Sequence, residues 1–302
     1  MQVQQDNKSA NVRIDPQTTQ SNFKGVLGLY ERVLRRFQIL GTLIALLPMY
    51  AVGVVCFSVA FTPGALVFQW GYPLTQAWSP VGQAFGLALL ISTAYALFGF
   101  TLILVSPALN FIFRASPKPW RGPYFSLQTV GWGIHNVFAY LPRYTFLEFL
   151  TPTPFNILFY RLMGMKIGKG VQLNTTNVSD PALIEIEDYA TIGGSATIVA
   201  HYGQSGYLVL APVKIGKGVT VGLRATVMGG VEIGEYAKIL PNSLLLPKTV
   251  VPPGETWGGV PAQKMDLSQH SRSQLELRKR AQRTTRGSAG SKIKSDQKSK
   301  KA

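Results

Sequence analysis

The sequence predicts an all-β parallel β-helix domain preceded by an α-helical transmembrane hairpin, and three observations carry this prediction. Two long runs, residues 39–61 and 84–113, contain no charged residue. Aliphatic residues recur every six positions between residues 215 and 251. The chain of 302 residues also combines a mean hydropathy of +0.15 with a formal net charge of +16. Such a pair of averages indicates that apolar and basic stretches are segregated along the chain.

The two uncharged runs are long enough to cross a membrane. Residues 39–61 supply about 23 apolar positions, which is sufficient for a hydrocarbon core of roughly 30 Å. This run starts too late and is too long for the apolar part of a secretory signal peptide. Residues 62–83 between the runs are rich in Trp, Tyr and Pro, which suits an interfacial loop. The segment 37–113 is therefore predicted to hold two transmembrane helices joined by that loop.

Positive residues flank the outer ends of both runs, whereas none lies between them. The positive-inside rule then predicts a multi-pass protein of the cell (inner) membrane, with both termini and the following domain in the cytoplasm. Two core helices of a soluble protein are the alternative. Residues 124–140 are uncharged but short and contain His135, which we interpret as a satisfied interfacial residue. We expect an interfacial or amphipathic connector over 114–153, and a third span, with the next domain outside, stays open.

The second half of the chain carries a short internal repeat. Small residues such as Ala225 and Ala237 follow the aliphatic positions at a fixed distance of four. A coil with three flat faces and six residues per face would stack these aliphatics in one column, which predicts a parallel β-helix. Upstream positions 186, 192 and 198 keep the period in a register shifted by one residue. The main series is Ile215, Val221, Val227, Ile233, Ile239, Leu245 and Val251.

These repeats resemble those of the hexapeptide-repeat acyltransferases. Residues 215–219, with the sequence IGKGV, carry the repeat motif, and the resemblance covers about 154–267. It implies a left-handed parallel β-helix whose first coil begins near 154–168. The loop from His201 to 212–216 is similar to the catalytic loop of the maltose and xenobiotic acetyltransferases. Membrane segments beside one such domain also resemble the C-terminal part of polylysine-synthetase-like peptide synthetases.

His201 is the main candidate for catalysis. It is the only histidine of the repeat region and stands where the repeat breaks into a loop, so core packing does not explain it. Neutral imidazole suits a general base near pH 7. One coil of about eighteen residues back from Ile198 lies Asp180, which could hold the imidazole tautomer. Glu185 is the fallback partner, and Asp180 as a plain turn residue and His201 as a solvated loop residue remain open.

The resemblance also implies an acyl-donor site. No tightly bound cofactor and no metal are expected, and acyl-CoA or a carrier-protein thioester would be a co-substrate. Gly222 and Gly230 are candidates for the backbone N–H groups that meet the oxyanion. The last coil, in the family, lines the pantetheine channel, with a lysine near the phosphates, although these residues could simply close the coil. They are Gly259, Val260, Pro261, Ala262 and Lys264.

The two ends of the chain are polar. Residues 1–36 are predicted to form an N-terminal cytoplasmic tail and a juxtamembrane segment. Residues 268–302 hold eleven Lys and Arg and two acidic residues, which favours a basic, largely disordered tail. Beside a membrane anchor, such a tail could contact anionic lipid headgroups, or it could be merely solvated. Nucleic acid is not favoured as a partner, because no recognition motif accompanies the charge.

Together these features predict a membrane-anchored acyltransferase. It would move an acyl group from a thioester to an amine or hydroxyl acceptor. The resemblance implies a homotrimer, since family members place the active site between neighbouring prisms. Two alternatives are an amide-forming partner of a peptide-synthetase-like system and a non-catalytic trimeric scaffold at the membrane.

Overall fold

The computed structural model describes residues 19–21 and 23–266, so the predicted N-terminal tail, up to residue 18, and the basic tail lie outside the described residues. The chain divides into two compact units, Met1–Ala262 and Gln263–Ala302. In the first unit, two long apolar helices precede a domain rich in short strands, as predicted. The helices are α1 (Gly25–Arg36), α2 (Gln38–Thr75), α3 (Pro80–Ile112), α4 (Leu127–Thr145) and α5 (Pro154–Leu162).

Helices α2 and α3 form a helical hairpin, and both are long and apolar enough to cross a membrane. The predicted interfacial loop over 62–83 is wrong except for residues 76–79, because α2 continues through Pro63 and Pro73 to Thr75 and α3 already begins at Pro80. An added Cβ on Gly64 would lie 2.7 Å from the Ala94 carbonyl oxygen, so the two backbones nearly touch there. This close packing against α3 outweighs the hydrogen bond that a proline removes from a helix.

The length of α2 sets a limit on how it can cross a bilayer. At 1.5 Å per residue, a helix of 38 residues is about 57 Å long. A hydrocarbon core is only roughly 30 Å thick. Helix α2 is therefore longer than a span requires, and several of its turns would extend beyond the hydrocarbon region.

Helix α4 joins the hairpin to the strand-rich domain. On one side, His135 Nδ1 lies 2.8 Å from Asn110 Oδ1 of α3. On the other side, Tyr140 and Ser179 share a hydrogen bond of 2.9 Å between their hydroxyl groups. The predicted connector is thus a packed helix that holds one end of the strand-rich domain against the hairpin.

The strand-rich domain coils through three parallel sheets. Each of the first four circuits contributes one strand to each sheet, and the fifth is incomplete. The seven predicted aliphatic positions from Ile215 to Val251 are at most 3% exposed. The six-residue period therefore forms a continuous buried column. The first two circuits comprise β2 (Lys166–Ile167), β3 (Gln172–Leu173), β4 (Val178–Ser179), β5 (Ile184–Ile186), β6 (Thr191–Ile192) and β7 (Thr197–Val199). The next three comprise β10 (Val213–Ile215), β11 (Thr220–Val221), β12 (Thr226–Val227), β13 (Glu232–Ile233), β14 (Lys238–Ile239), β15 (Leu244–Leu245), β16 (Val250–Val251) and β17 (Thr256–Gly259), and the last strand is β18 (Ala262–Lys264).

One excursion interrupts the coil between β7 and β10. Here β8 (His201–Gln204) and β9 (Tyr207–Leu210) form an antiparallel hairpin, and β9 also pairs with β1 (Trp120–Pro123), which precedes α4. After the hairpin the column resumes in register, with Ile215 beside Ile186. The insertion explains the one-residue register shift that the sequence shows between the two aliphatic series.

The coil starts later than the resemblance implied. Residues 154–162 form helix α5 rather than a first coil, and the first strand begins at Lys166. Asn156 Nδ2 donates to the Leu173 carbonyl over 2.7 Å, and the Tyr160 hydroxyl donates to the Thr176 carbonyl over 3.0 Å. Helix α5 therefore covers the open end of the first coil, where an aliphatic column would otherwise meet solvent.

Candidate functional site

The candidate site lies at the corner where the second coil ends. His201 is the first residue of β8, at the point where the chain leaves the coil. Asp180 lies at the same corner of the first coil, because β4 pairs with β7 in the register Ser179↔Val199. Counting back one coil from the repeat break therefore led to the side chain that the fold brings next to His201.

The two side chains form a direct hydrogen bond, with His201 Nδ1 only 2.5 Å from Asp180 Oδ2. A carboxylate can only accept, so Nδ1 carries the proton and Nε2 keeps its lone pair. The His201 side chain is 24% exposed, whereas the Asp180 side chain is fully buried. A partly exposed imidazole, oriented by a buried carboxylate, is an arrangement that suits general-base catalysis.

Helix α4 supplies two more donors to the same carboxylate. The indole nitrogen of Trp132 donates to Asp180 Oδ1 over 2.6 Å, and Asn136 Nδ2 lies 3.5 Å from that oxygen. The Trp132 ring also meets the His201 ring edge-on, with the ring centroids 5.0 Å apart. Sequence reasoning missed Trp132 and Asn136. They precede Asp180 by 48 and 44 positions, and neither the repeat nor a motif links them to it.

The prediction of Glu185 as the fallback partner of His201 is wrong. Glu185 lies in β5, on another face of the coil, where its carboxylate forms an ion pair of 3.2 Å with Lys166 Nζ. Both side chains of that pair are well exposed. Glu185 is therefore a surface residue, and Asp180 is the carboxylate that contacts His201.

The glycines expected near the oxyanion have other partners. The Gly222 amide donates to the Ile239 carbonyl over 2.8 Å, and the Gly230 amide donates to the Ala211 carbonyl over 3.2 Å. Gly229 is nearer to the histidine, since an added Cβ there would lie 3.1 Å from the His201 backbone nitrogen. The absence of a side chain at Gly229 thus lets the third coil pack closely on the His201 backbone.

The predicted donor-binding residues lie on the last coil. Gly259 ends β17, three coils beyond the circuit that carries His201, and its amide donates to Ser243 Oγ over 3.3 Å. At roughly 4.8 Å per stacked strand, three coils are about 14 Å apart. Within one chain, the turn formed by Gly259, Val260, Pro261 and Ala262 therefore does not meet His201. Lys264 is exposed in β18 and belongs to the second unit.

His135 is a buried residue of α4 and not part of the base. It is fully buried, and burial lowers its pKa to about 4, with the charge of Asp180 opposing that shift. Its Nδ1 is paired with Asn110, whereas its Nε2 has no hydrogen-bond partner among the described residues. His135 was predicted to be a satisfied residue; instead its side chain is buried between α4 and α3, and only one of its two nitrogens has a partner among the described residues.

A cavity of about 330 Å³ adjoins the histidine. Trp132 and Leu210 line it, and both neighbour His201, the first through its ring and the second as its cross-strand partner in the β8–β9 hairpin. Arg114 and Lys118, which follow the end of α3, line it as well. In the described part of the chain, no group of three or more His, Cys, Asp or Glu side chains could hold a metal ion.

The structure shows one arrangement: a coil of short parallel strands, and a histidine that an aspartate holds where a loop leaves the coil. It is the arrangement that the sequence predicted from its resemblance to the hexapeptide-repeat acyltransferases. Curated relatives confirm that resemblance. A serine acetyltransferase of Salmonella typhimurium is 34% identical over 116 residues, which is 35% of this chain and 41% of that protein.

A second relative is similar over more of the chain. The delta-poly-L-ornithine synthetase of Acinetobacter baumannii is 23% identical over 173 residues, which is 57% of this chain and 13% of that protein. The chain thus spans less than half the length of either relative. No family model matches the chain. Among solved structures, a hexapeptide-repeat acetyltransferase of Vibrio cholerae with acetyl coenzyme A is 26% identical with a TM-score of 0.31, covering 34% of this chain and 60% of that one.

Proposed function

We propose that the chain is a membrane-anchored acyltransferase that uses His201 as its general base. The observation that carries the proposal is the 2.5 Å hydrogen bond from His201 Nδ1 to the buried Asp180 carboxylate. It leaves Nε2, the ring nitrogen that does not face Asp180, as the basic atom. In the proposed architecture, α2 and α3 are transmembrane helices, and the strand-rich domain is a left-handed parallel β-helix on the cytoplasmic side.

In this reaction, Nε2 of His201 removes the proton from an amine or hydroxyl of the acceptor. The acceptor atom attacks the thioester carbonyl, a new C–N or C–O bond forms, and the C–S bond breaks. The imidazolium then returns its proton to the departing thiolate, so the enzyme ends as it began. Asp180 stabilises the imidazolium that forms between the two steps.

The acyl donor that we propose is acyl-CoA, or a carrier-protein thioester of the same kind. The serine acetyltransferase relative supports acyl transfer by this type of domain. Gly259, Val260, Pro261, Ala262 and Lys264 would bind the donor, as the family resemblance implies. Gly259 to Ala262 lie about three coils from His201 in the same chain, so we propose a homotrimer in which a neighbouring subunit supplies them.

The test is thiol release from acetyl-CoA by the protein in detergent or nanodiscs, with phosphatidylethanolamine added as an amine acceptor and water as the acceptor in its absence. His201→Ala should lower the rate by about a hundredfold or more, since a positioned general base typically contributes that much. Gln204→Ala is a matched control, because Gln204 is exposed at the tip of the same hairpin. Equal rates for the His201→Ala variant and the unmodified protein would support a non-catalytic scaffold instead.

The second candidate function is formation of an amide as the partner of a peptide-synthetase-like system. One observation favours it. The similarity to the delta-poly-L-ornithine synthetase covers 173 residues, whereas the segment that holds the strands, from Lys166 to Lys264, is shorter. The similarity therefore extends beyond the strand-rich domain. In this case the donor would be an aminoacyl thioester on a carrier protein. Turnover with a loaded carrier protein, but not with acetyl-CoA, would favour this second function over the first.

A further inference from the structure

We propose that the cavity between the end of α3 and the β8–β9 hairpin binds an acceptor that carries a phosphate-type anion on an apolar chain. The proposal rests on the acyltransferase function above and names the acceptor class for the same site. It is argued from the lining of the cavity, from its neighbours and from the surface that leads to it.

The basic side chains in the lining of the cavity favour an anionic ligand. Arg114 and Lys118 are its two basic side chains, both are exposed, and no acidic side chain is part of the lining in the described chain. No ion pair of either residue occurs among the described residues. Arg121, in contrast, lies outside the lining and stacks on the Tyr207 ring at 4.6 Å. Two cations that line one cavity, with no acidic side chain in that lining, form a favourable site for a phosphate group.

The walls of the cavity connect that anion site to the base. Trp132 is shared between the cavity and the His201–Asp180 pair, which it contacts by its ring and by its indole nitrogen. Leu210 lies opposite His201 on the neighbouring strand. A headgroup with its phosphate at Arg114 would therefore extend its amine or hydroxyl along the Trp132 wall towards Nε2.

An exposed apolar surface at the end of α3 adjoins the cavity, and Phe113 is also part of the cavity lining. Phe111, Ile112 and Phe113 at the end of α3 are 82%, 68% and 52% exposed, directly before Arg114. If α3 spans the membrane, these side chains contact acyl chains, and Arg114 and Lys118 lie where the headgroups begin. An acceptor with an apolar chain could keep that chain in the bilayer and place only its headgroup in the cavity.

Binding can be measured without turnover. The probes are dioleoyl phosphatidylglycerol, dioleoyl phosphatidylcholine and water-soluble glycerol 3-phosphate, each added to the full-length protein in detergent and followed by native mass spectrometry. We expect phosphatidylglycerol to bind more tightly than phosphatidylcholine, and glycerol 3-phosphate to bind more weakly than the lipid. Tighter binding of glycerol 3-phosphate would assign the same cations to a soluble phosphorylated acceptor and overturn the lipid-linked class.

The cations are tested by an Arg114→Ala/Lys118→Ala double variant. Two basic residues near an anionic headgroup should together change the affinity for phosphatidylglycerol by about thirtyfold. Lys238→Ala is the matched control, because Lys238 is an exposed lysine of β14, distant from the cavity. An affinity that the double variant leaves unchanged would overturn the proposal.

The same preparations separate this inference from the proposed function. If His201-dependent thiol release is present but the double variant binds phosphatidylglycerol normally, the acyltransferase stands and the acceptor site fails. If the double variant loses binding but His201→Ala does not change thiol release, the anion site stands and the general base fails.

Discussion

The indole nitrogen of Trp132 donates a 2.6 Å hydrogen bond to Asp180, the carboxylate that holds His201. Trp132 belongs to the helix that packs on the apolar hairpin, whereas Asp180 belongs to the first coil of the strand-rich domain. Helix α4, which lies outside the strand-rich domain, therefore takes part in orienting the carboxylate beside His201. This arrangement couples the position of α4 to the geometry of the candidate site.

Trp132→Phe keeps a ring against His201 but removes the donor to Asp180. We expect kcat for thiol release to fall about tenfold, because the carboxylate loses one of the groups that fix it. The acid limb of the pH–rate profile should move as well, since Asp180 would hold the imidazolium differently. Trp78→Phe, at the exposed turn of the hairpin, is the control and should leave both unchanged. A merely structural role of Trp132 would lower the amount of folded protein without moving the profile.

Asp180→Asn keeps the shape of the side chain but allows the amide nitrogen to face His201. An amide in this place can stabilise the wrong imidazole tautomer, so kcat should fall by about a hundredfold or more. The double variant with His201→Ala should be no slower than His201→Ala alone, because the two residues act as a unit. Steady-state thiol release measures this, and additive losses in the double variant would contradict the proposed pair.

Gly229→Ala tests the packing of the third coil on the histidine. The new Cβ would lie 3.1 Å from the Ala200 carbonyl carbon and from the His201 nitrogen, so the backbone of the base must shift. A shift of a few tenths of an ångström should lower kcat severalfold with little change in stability. Gly203→Ala on the same hairpin is the control, because nothing lies within 4 Å of a Cβ built there. Equal activity of the two variants would remove Gly229 from the site.

His135 should make the fold sensitive to acid. Its pKa is lowered by burial from 6.5 to about 4, so the neutral imidazole is favoured in the folded state. Its contribution to stability is complete above pH 6.5 and is lost as the pH falls towards 4, which amounts to about 3 kcal/mol at most.

The measurement is the imidazole proton resonance of His135 in detergent, assigned by its loss in His135→Gln. We expect it to titrate below pH 5, and His135→Gln should reduce the acid dependence of the unfolding free energy. A titration midpoint near 6.5 would show that the imidazole is solvated.

The proposed topology places the hairpin turn and the strand-rich domain on opposite sides of the membrane. Cys56 is buried, and it is the single cysteine of the chain, so a Cys56→Ala background gives clean labelling. In intact cells, a membrane-impermeant maleimide should label Ala77→Cys at the exposed turn and spare Gln204→Cys in the β8–β9 hairpin. Permeabilised cells should label both, and labelling of Gln204→Cys in intact cells would place the domain outside.

The sequence by itself determined the features that follow a local or periodic pattern. The aliphatic series to Val251 predicted the buried column, because a six-residue period has one solution in a three-faced coil. The break in that period pointed to His201, and the length of one coil pointed to Asp180. Spacing alone predicted the column and placed Asp180 near His201, whereas the catalytic interpretation of His201 also rested on the family resemblance.

Only the tertiary structure decided how the helices complete the site. Trp132 reaches Asp180 because α4 packs between the hairpin and the first coil, and no spacing in the sequence encodes that contact. Helix α2 runs through Pro63 because Gly64 brings its backbone against α3, which outweighs a local break. Local sequence sets the repeat and the base, whereas the partners of the carboxylate depend on contacts between residues more than forty positions apart.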